Sequence, residues 1–184
     1  PGPSGHLLMA AELLKAWNAP KLVTCLEINA ATGKVASHCC TEVSGLNVSN
    51  GVKWSQLDSA LPMPVDLADE ITKLAVDSSD FFEALNQQPL KVTGLAANKY
   101  TLNIDGKCVG EFTKEQLAAG INLAALNTPM TKQAGEVHKL TIQHNQVHFD
   151  RWREVQVRLA RQSSQKISKA TKALLAAFDS EEAG

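Results

Sequence analysis

The sequence predicts an α+β fold, with helices at both ends of the chain and antiparallel β-hairpins between them. Apolar residues near both ends recur at the three- and four-residue spacing of helices. The central part alternates apolar and polar residues around turn signals such as Asp105-Gly106, which is typical of hairpins. From Pro129 to about residue 162 no proline interrupts, so a long helix is expected there.

Composition places the chain among ordinary globular proteins. It has 184 residues, 44% of them hydrophobic, and a formal net charge of -1. A charge this small creates no global field, so no nucleic-acid partner is expected. No apolar run approaches the roughly 18 residues that a transmembrane helix needs, so no membrane span is expected either.

The first helix is predicted over residues 4–17, with Ser4 as its cap and Pro20 as its stop. Its apolar stripe consists of Leu7, Ala10, Ala11, Leu14 and Trp17.

A hairpin is predicted next, with strands over residues 21–29 and 34–43 and a turn at Gly33. If Asn29 opposes Lys34, Cys25 opposes His38. Two ligands alone do not make a metal site, so none is assigned there.

The cysteines are Cys25, Cys39, Cys40 and Cys108, too few for a disulfide framework at this length. We interpret them as buried or free thiols. A single disulfide from Cys25 to Cys39 or Cys40 is the alternative.

Residues 44–64 are rich in glycine and proline and predict a loop with one short strand. Trp54, Leu57 and Leu61 are interpreted as packing residues. Two short helices are expected next, over residues 67–74 and through Leu85. Their predicted caps are Asp66 and either Asp77 or Ser78, and Phe81 and Phe82 are expected to anchor the second helix.

A β-meander is predicted from strands at residues 90–93, 100–104 and 107–112. A two-residue turn at Asp105-Gly106 would place Leu102 opposite Val109 and Tyr100 opposite Glu111. The face expected to be buried carries Tyr100, Leu102, Ile104 and Val109. Thr113-Lys114-Glu115-Gln116 is a capping box that begins a helix ending at Gly120.

The long helix is expected to begin at Thr128-Pro129, with proline at its first position. Its stripe consists of Met130, Ala134, Val137, Thr141, His144 and His148, continued by Trp152, Val155 and Leu159. His144 and His148 have the spacing of two metal ligands, but Asn145 stands where an HExxH motif needs glutamate, so we interpret them as helix-face residues. Trp152 is expected against the core, where its loss would cost about 3–5 kcal/mol.

Residues 164–178 predict a last amphipathic helix, with Ile167, Ala170, Leu174 and Phe178 facing inward. Basic residues cluster in this region: Arg151, Arg153, Arg158, Arg161, Lys166, Lys169 and Lys172. We interpret them as a solvated face, and binding of phosphate or an anionic polymer is the alternative.

The first stretch, Pro1-Gly2-Pro3-Ser4-Gly5-His6, resembles the segment directly after the catalytic Asp-x-x-His of SGNH (GDSL-type) esterases. Further phrases of their bacterial C-terminal extension are similar to residues 92–95, 100–106, 120–124, 128–130 and 151–153. The resemblance implies a closing helix of the hydrolase domain at 1–19, a β-rich extension at 20–127 and a helical region at 128–184. It therefore implies a C-terminal portion of a serine ester hydrolase for acyl or acetyl esters.

In the family that these stretches resemble, the nucleophile, the oxyanion-hole groups, Asp and His all precede this segment. The resemblance therefore implies that they lie upstream of residue 1, and the base and the serine must act as one unit. His6 matches the second, non-catalytic histidine. Leu57-Asp58-Ser59 is similar to Gly-Asp-Ser, but lacks the glycine and lies after the histidine block. No catalytic, cofactor or metal residue is assigned, and no cofactor is expected.

The parent's implied partner is an ester substrate, with an acetylated carbohydrate as one candidate. The alternative function is a non-catalytic accessory or interaction module. The sequence does not fix the compartment, and an exported or periplasmic parent is one option.

Overall fold

The computed structural model describes residues 2–159 and 165–182 and confirms the α+β class. The chain divides into two compact units, Pro1–Gly135 and Glu136–Gly184. Within the described residues, all strands belong to the first unit and the second is helical. The predicted boundaries after residues 19 and 127 stay predictions.

The elements succeed one another in this order. The first unit contains α1 (Pro3–Ala16), β1 (Cys25–Asn29), β2 (Lys34–Cys39), β3 (Thr41–Asn47), β4 (Lys53–Asp58), α2 (Glu70–Asp77), α3 (Phe81–Leu85), β5 (Pro89–Thr93), β6 (Lys99–Ile104), β7 (Lys107–Thr113), α4 (Lys114–Ala119), β8 (Ile121–Asn122) and a 3-10 turn (Leu123–Ala125). The helix α5 (Pro129–Phe149) begins in the first unit and ends in the second. The second unit continues with a π-helical stretch (Asp150–Gln156), α6 (Val157–Leu159) and α7 (Gln165–Glu182).

The central sheet has four strands in the order β2-β1-β5-β8, and β1 and β5 are parallel. Its core contains Leu26 and Ile28 from β1 and Leu90 and Val92 from β5, all at most 4% exposed. The prediction that residues 90–93 belong to a meander with β6 and β7 is wrong. Their alternation identified a strand, but its partner β1 lies some 60 residues earlier and no local signal marks that pairing.

Two further sheets are hairpins, β3–β4 and β6–β7. The short strand predicted within residues 44–64 is present as β4, but the stretch is less loop-like than expected, because its first residues belong to β3 and pair with β4. Gly45 lies within β3 and Gly51 lies two residues before β4, with φ angles of 64° and 83° that suit glycine. Neither glycine prevents the strands from forming. The strand predicted over 34–43 also breaks, because Cys40 adopts a φ of 53° between β2 and β3.

Bulges change both predicted registers. A bulge between Glu27 and Ile28 places Cys25 opposite Cys39 and not opposite His38. A bulge after Leu102 places it opposite Gly110 and not opposite Val109. Tyr100 consequently pairs with Phe112 and not with Glu111. The face predicted to be buried is half-buried.

The helix α1 begins at Pro3 after Gly2, so Ser4 is not its cap. Leu7, Ala11 and Leu14 pack with Val76, Phe81 and Leu85 of α2 and α3. Ala10 and Trp17, predicted to share that face, are exposed, and Trp17 has 70% of its surface accessible. The apolar residues of α1 therefore form two faces.

The predicted caps of the next two helices are also wrong. The Asp69 carboxylate, not that of Asp66, accepts the N–H of Thr72 and caps α2. The residue before α3 is Asp80, three residues beyond Asp77. Phe81 is buried as expected and meets Phe82 edge to face, with 5.5 Å between ring centroids.

Two helix starts are confirmed. Thr113 and Gln116 form the reciprocal capping box of α4, which ends at Gly120 with a φ of 101°. Pro129 begins α5, and the Thr128 hydroxyl accepts the N–H of Thr131.

The long helix expected from Pro129 to about residue 162 is helical over all of its described residues, 129–159. Its hydrogen bonding changes within it, because π-helical turns from Asp150 to Gln156 separate α5 from α6. Of the predicted inward stripe, Ala134 and Val155 are buried. Seven residues that were predicted to face inward on the long helix or on the last helix are exposed instead: Val137, Thr141, His144, His148, Trp152, Ala170 and Leu174.

The basic cluster is partly described. The Arg151 guanidinium lies 2.7 Å from Asp179, and Trp152 is 46% exposed beneath Arg153. Arg161 and the side chains of Lys166 and Ile167 lie outside the described part of the chain.

Candidate functional site

A cleft of about 1040 Å³ opens in the first unit between β4 and β6. Its floor is apolar and comes from the core, with Leu90, Leu117 and Leu123 contributed by β5, α4 and the 3-10 turn. Its walls are the whole of β4 and nearly the whole of β6, while the described residues of β3 and β7 contribute nothing. A concave site with an apolar floor and polar walls has the general form of a ligand-binding site.

A hydrogen-bonded network runs along the wall formed by β4. Trp54 Nε1 donates to Gln56 Oε1 at 3.0 Å, and Gln56 Nε2 donates to Asp58 Oδ1 at 2.7 Å. These side chains lie at alternate positions of one strand and therefore share a face. All three are half-buried, whereas Lys53, Ser55 and Leu57 on the other face are exposed.

The network continues behind the wall through Gln88, which is 1% exposed. Its Nε2 donates to Asp58 Oδ2 at 2.9 Å, which fixes the orientation of the amide because a carboxylate accepts only. Gln88 Oε1 is then left without a hydrogen-bond partner among the described residues. Asp58 thus accepts from two amides and retains lone pairs for a further donor.

Backbone bonds hold Gln88 in place. Its N–H donates to Asn122 Oδ1 at 2.8 Å, and its carbonyl accepts the N–H of Leu123 at 2.9 Å. Asn122 Nδ2 donates in turn to the carbonyl of Asn86. The entry to β5 and the loop after α4 are therefore locked together next to the cleft.

Ser59 lies at the rim of the cleft, and its N–H donates to the Cys40 carbonyl at 3.0 Å. Its neighbour Asp58 is bound to amides and not to a histidine. The predicted packing role of Leu57 is wrong, because this side chain is 69% exposed. Trp54 packs against the core as predicted, and Leu61 is half-buried.

The five histidines are spread over three elements, α1, β2 and α5. His6 is exposed on α1, and His38 Nδ1 is 3.0 Å from the Thr41 carbonyl oxygen on the exposed side of β2. His144 and His148 lie on α5 in the second unit. Within the described ranges, no group of three or more His, Cys, Asp or Glu residues is placed to hold a metal ion.

Cys25 and Cys39 form a disulfide, with 5.0 Å between their Cα atoms. This is the alternative to the thiols that we preferred from the sequence, and the bulge in the hairpin brings the two residues into register. Cys40 and Cys108 are exposed free thiols.

Two shifted pKa values belong to an ion pair away from the cleft, where α1 meets α3. Lys15 Nζ lies 2.8 Å from Asp80 Oδ1 and also pairs with Glu12. The hydrogen bond from Lys15 lowers the pKa of the Asp80 carboxyl below its ordinary value of 3.8. The same bond, helped by Glu12, raises the pKa of Lys15. These charges tie two helices together.

No helix in the described part of the chain is both long enough and apolar enough to cross a membrane.

Comparison with known proteins gives a match in fold. No protein-family model matches the chain, and no curated protein does. A solved structure described as a gut microbial diltiazem-metabolizing enzyme superposes with a TM-score of 0.71 at 24% identity. The match covers 97% of this chain and 51% of that one, so the chain spans about half the length of that enzyme. At this identity the likeness shows the fold alone.

The network of Gln56, Asp58 and Gln88 was missed from the sequence. The only signal in the sequence was the alternation of Trp54, Gln56 and Asp58, and it has meaning only once residues 53–58 are known to form a strand. Gln88 lies 30 residues from Asp58, and no periodicity joins them.

Proposed function

We propose that this chain is the C-terminal, non-catalytic part of an SGNH-type ester hydrolase. The parent would cleave acyl or acetyl esters, with acetylated carbohydrate as a candidate substrate. The single observation that carries the proposal is the second apolar face of α1, which begins in the stretch that resembles the end of the hydrolase domain.

That face consists of Met9, Leu13 and Trp17, which are 63%, 49% and 70% exposed. Their spacing of four residues places them in one row along the helix. The row is roughly 130° around the helix from Leu7, Ala11 and Leu14, given about 100° per residue. The inner row already packs on α2 and α3, so the outer row is left for another surface.

The resemblance supplies that surface, since it makes residues 1–19 the closing helix of a hydrolase domain. Three large apolar side chains in one row of a helix are typical of a face that packs on a sheet. The enzyme with the similar fold supports one part of the proposal, that this chain is a portion of a longer enzyme. The matched region is about half of that enzyme's length.

A test of the proposal is complementation. The upstream part, made as a separate protein, should turn over p-nitrophenyl acetate poorly and recover when this chain is added. Leu13→Asp should weaken that recovery at least about tenfold, because it places a charge in the contact. Ile142→Asp is the matched control, an equally drastic change at a residue that is 54% exposed in the other unit.

Both variants should fold like the parent chain, since substitutions at exposed positions usually cost within about 0.5 kcal/mol. Circular dichroism checks this. Equal loss of recovery in both variants, or no recovery with the unchanged chain, would count against a hydrolase surface on α1.

A second candidate function, an interaction module, is favoured by the cleft between β4 and β6. Its walls and floor form without any residue from outside the chain.

A further inference from the structure

The cleft is bounded by two strands that each have one open edge. In the described part of the chain, β4 pairs only with β3, and β6 pairs only with β7. The cleft is lined by β4 and β6 but not by their partners. The two open edges therefore face the same cavity from opposite sides.

The hydrogen-bond phase of the first hairpin shows which backbone groups reach the open edge of β4. The N–H of Ser59 donates to the Cys40 carbonyl, so these residues form a hydrogen-bonded pair. The phase alternates in an antiparallel ladder, so Leu57 turns its backbone groups toward β3. Gln56 and Asp58 consequently turn theirs toward the cleft.

The second hairpin obeys the same alternation. The N–H of Lys114 donates to the Asn98 carbonyl at 3.0 Å. Alternation then directs the backbone of Tyr100 and Leu102 to β7 and that of Thr101 to the cleft. Glu111, which opposes Thr101, turns its backbone away from β6 to the far edge of β7.

The side chains define what would fit between these edges. Each wall strand has six residues, a length of about 20 Å. The floor between them is apolar and includes Leu90 and Val92 of the core. The charged residues of the lining are Lys53, Asp58 and Asp105, so carboxylates outnumber cations and a basic ligand group is favoured.

We propose that the cleft binds an extended segment of another polypeptide by strand addition between β4 and β6. The segment has apolar side chains at alternate positions, which face the floor, and a lysine or arginine at one position of that same face, near Asp58. Its backbone pairs with both walls and joins the two hairpins into one continuous sheet. Rows of unpaired N–H and C=O groups match a polypeptide and not a sugar or a compact small molecule.

The test uses the 184-residue chain and a synthetic probe. The probe is a capped heptapeptide in which threonine alternates with valine and a lysine replaces the central valine, so that the lysine shares the face of the two valines. We expect saturable binding by calorimetry below about 1 mM. A peptide of the same sequence with alternate backbone nitrogens methylated should bind at least about tenfold more weakly, because it cannot donate along one edge.

Protein variants locate the edge. Thr101→Pro removes an N–H that faces the cleft, which an edge strand tolerates, and should weaken binding at least about tenfold. Glu111→Pro removes one from the opposite edge of the same hairpin and should change binding less than about twofold. If either proline variant is unfolded by circular dichroism, the methylated peptide still decides the matter.

Three results would overturn the proposal. The first is no binding of the unmethylated peptide at about 1 mM, and the second is equal binding of both peptides. The third is binding of a soluble oligosaccharide that the heptapeptide does not displace. Because none of these measurements involves ester hydrolysis, they can fail independently of the proposed hydrolase origin.

Discussion

Asp58 is the residue on which the polar wall of the cleft depends. Its two carboxylate oxygens accept from Gln56 at 2.7 Å and from Gln88 at 2.9 Å. Gln88 is almost fully buried and already has one unpaired oxygen among the described residues. Loss of its donor contact would leave the whole amide without a side-chain partner, and such unpaired groups are costly.

We therefore expect Asp58→Asn to destabilise the protein by about 1–3 kcal/mol, because the new NH2 group faces the NH2 group of Gln56 or Gln88. Asp105→Asn is the control. It also removes a carboxylate from the cleft, but asparagine suits the φ of 51° at this turn and should change stability by less than about 0.5 kcal/mol. Urea unfolding measures both, and equal effects would show that the network has no energetic weight.

Single aromatic residues show what periodicity cannot predict. Trp17 and Trp152 were expected to face inward, and both are substantially exposed, at 70% and 46%. Helical spacing shows which residues share a face, but not whether another element covers that face. Phe81 is buried as predicted, and the element that covers it is α1.

At the scale of elements, the hairpin β1–β2 is closed by the disulfide between Cys25 and Cys39, which are 14 residues apart. Removing a loop closure of this length costs about 3 kcal/mol through the unfolded state. We expect the double variant Cys25→Ser, Cys39→Ser to have a free energy of unfolding lower by about 3 kcal/mol, measured by thermal unfolding without reductant. Cys108→Ser, at an exposed free thiol, should lose almost nothing.

Reductant should lower the stability of the parent chain to that of the double variant and leave the stability of the double variant unchanged. If the parent chain melts identically with and without reductant, the disulfide does not form or does not stabilise this hairpin.

The contact between α1 and α3 should make stability depend on pH. The Lys15 ammonium lowers the pKa of Asp80 below 3.8, so the folded state holds this proton less tightly than the unfolded chain. The resulting stabilisation is present above the unfolded pKa and is lost as the pH falls through the folded pKa. Asp80→Asn should therefore be less stable than the parent at pH 7, with the difference vanishing in acid.

Asp77→Asn is a suitable comparison, since Asp77 pairs only with Lys73 on its own helix among the contacts of the described residues. Urea unfolding at pH 7 and near pH 2.5 measures the difference. A gap between Asp80→Asn and the parent that persists or grows in acid would contradict the assigned role of the Lys15 contact.

Local signals predicted the elements that local chemistry determines. The Asp105-Gly106 turn, the Thr113–Gln116 box and the Thr128-Pro129 start all formed as expected. Pairings between distant segments could not be predicted from the sequence, and neither could the bulges after Glu27 and Leu102. A bulge depends on how the whole hairpin twists against its neighbours, and a pattern along one strand does not contain that information.

At the scale of the whole molecule, the cleft could not be predicted from the sequence because it is built from elements that lie far apart in the chain. The walls of the cleft come from two hairpins about 45 residues apart, and its floor comes from β5, α4 and the turn after β8. Sequence patterns could mark β6 and residues 90–93 as strands. They could not show that β4 and β6 stand apart instead of pairing, which is what creates the cleft.

The proposed origin of the whole chain is an ester hydrolase whose catalytic groups lie outside these 184 residues. It is tested by comparing the turnover of p-nitrophenyl acetate by this chain and by a form extended upstream through its Ser, Asp and His. We predict turnover by the extended form alone, abolished by replacing the histidine that the proposal places directly before Pro1 and retained in His6→Gln. Comparable turnover by the 184-residue chain would contradict the proposal.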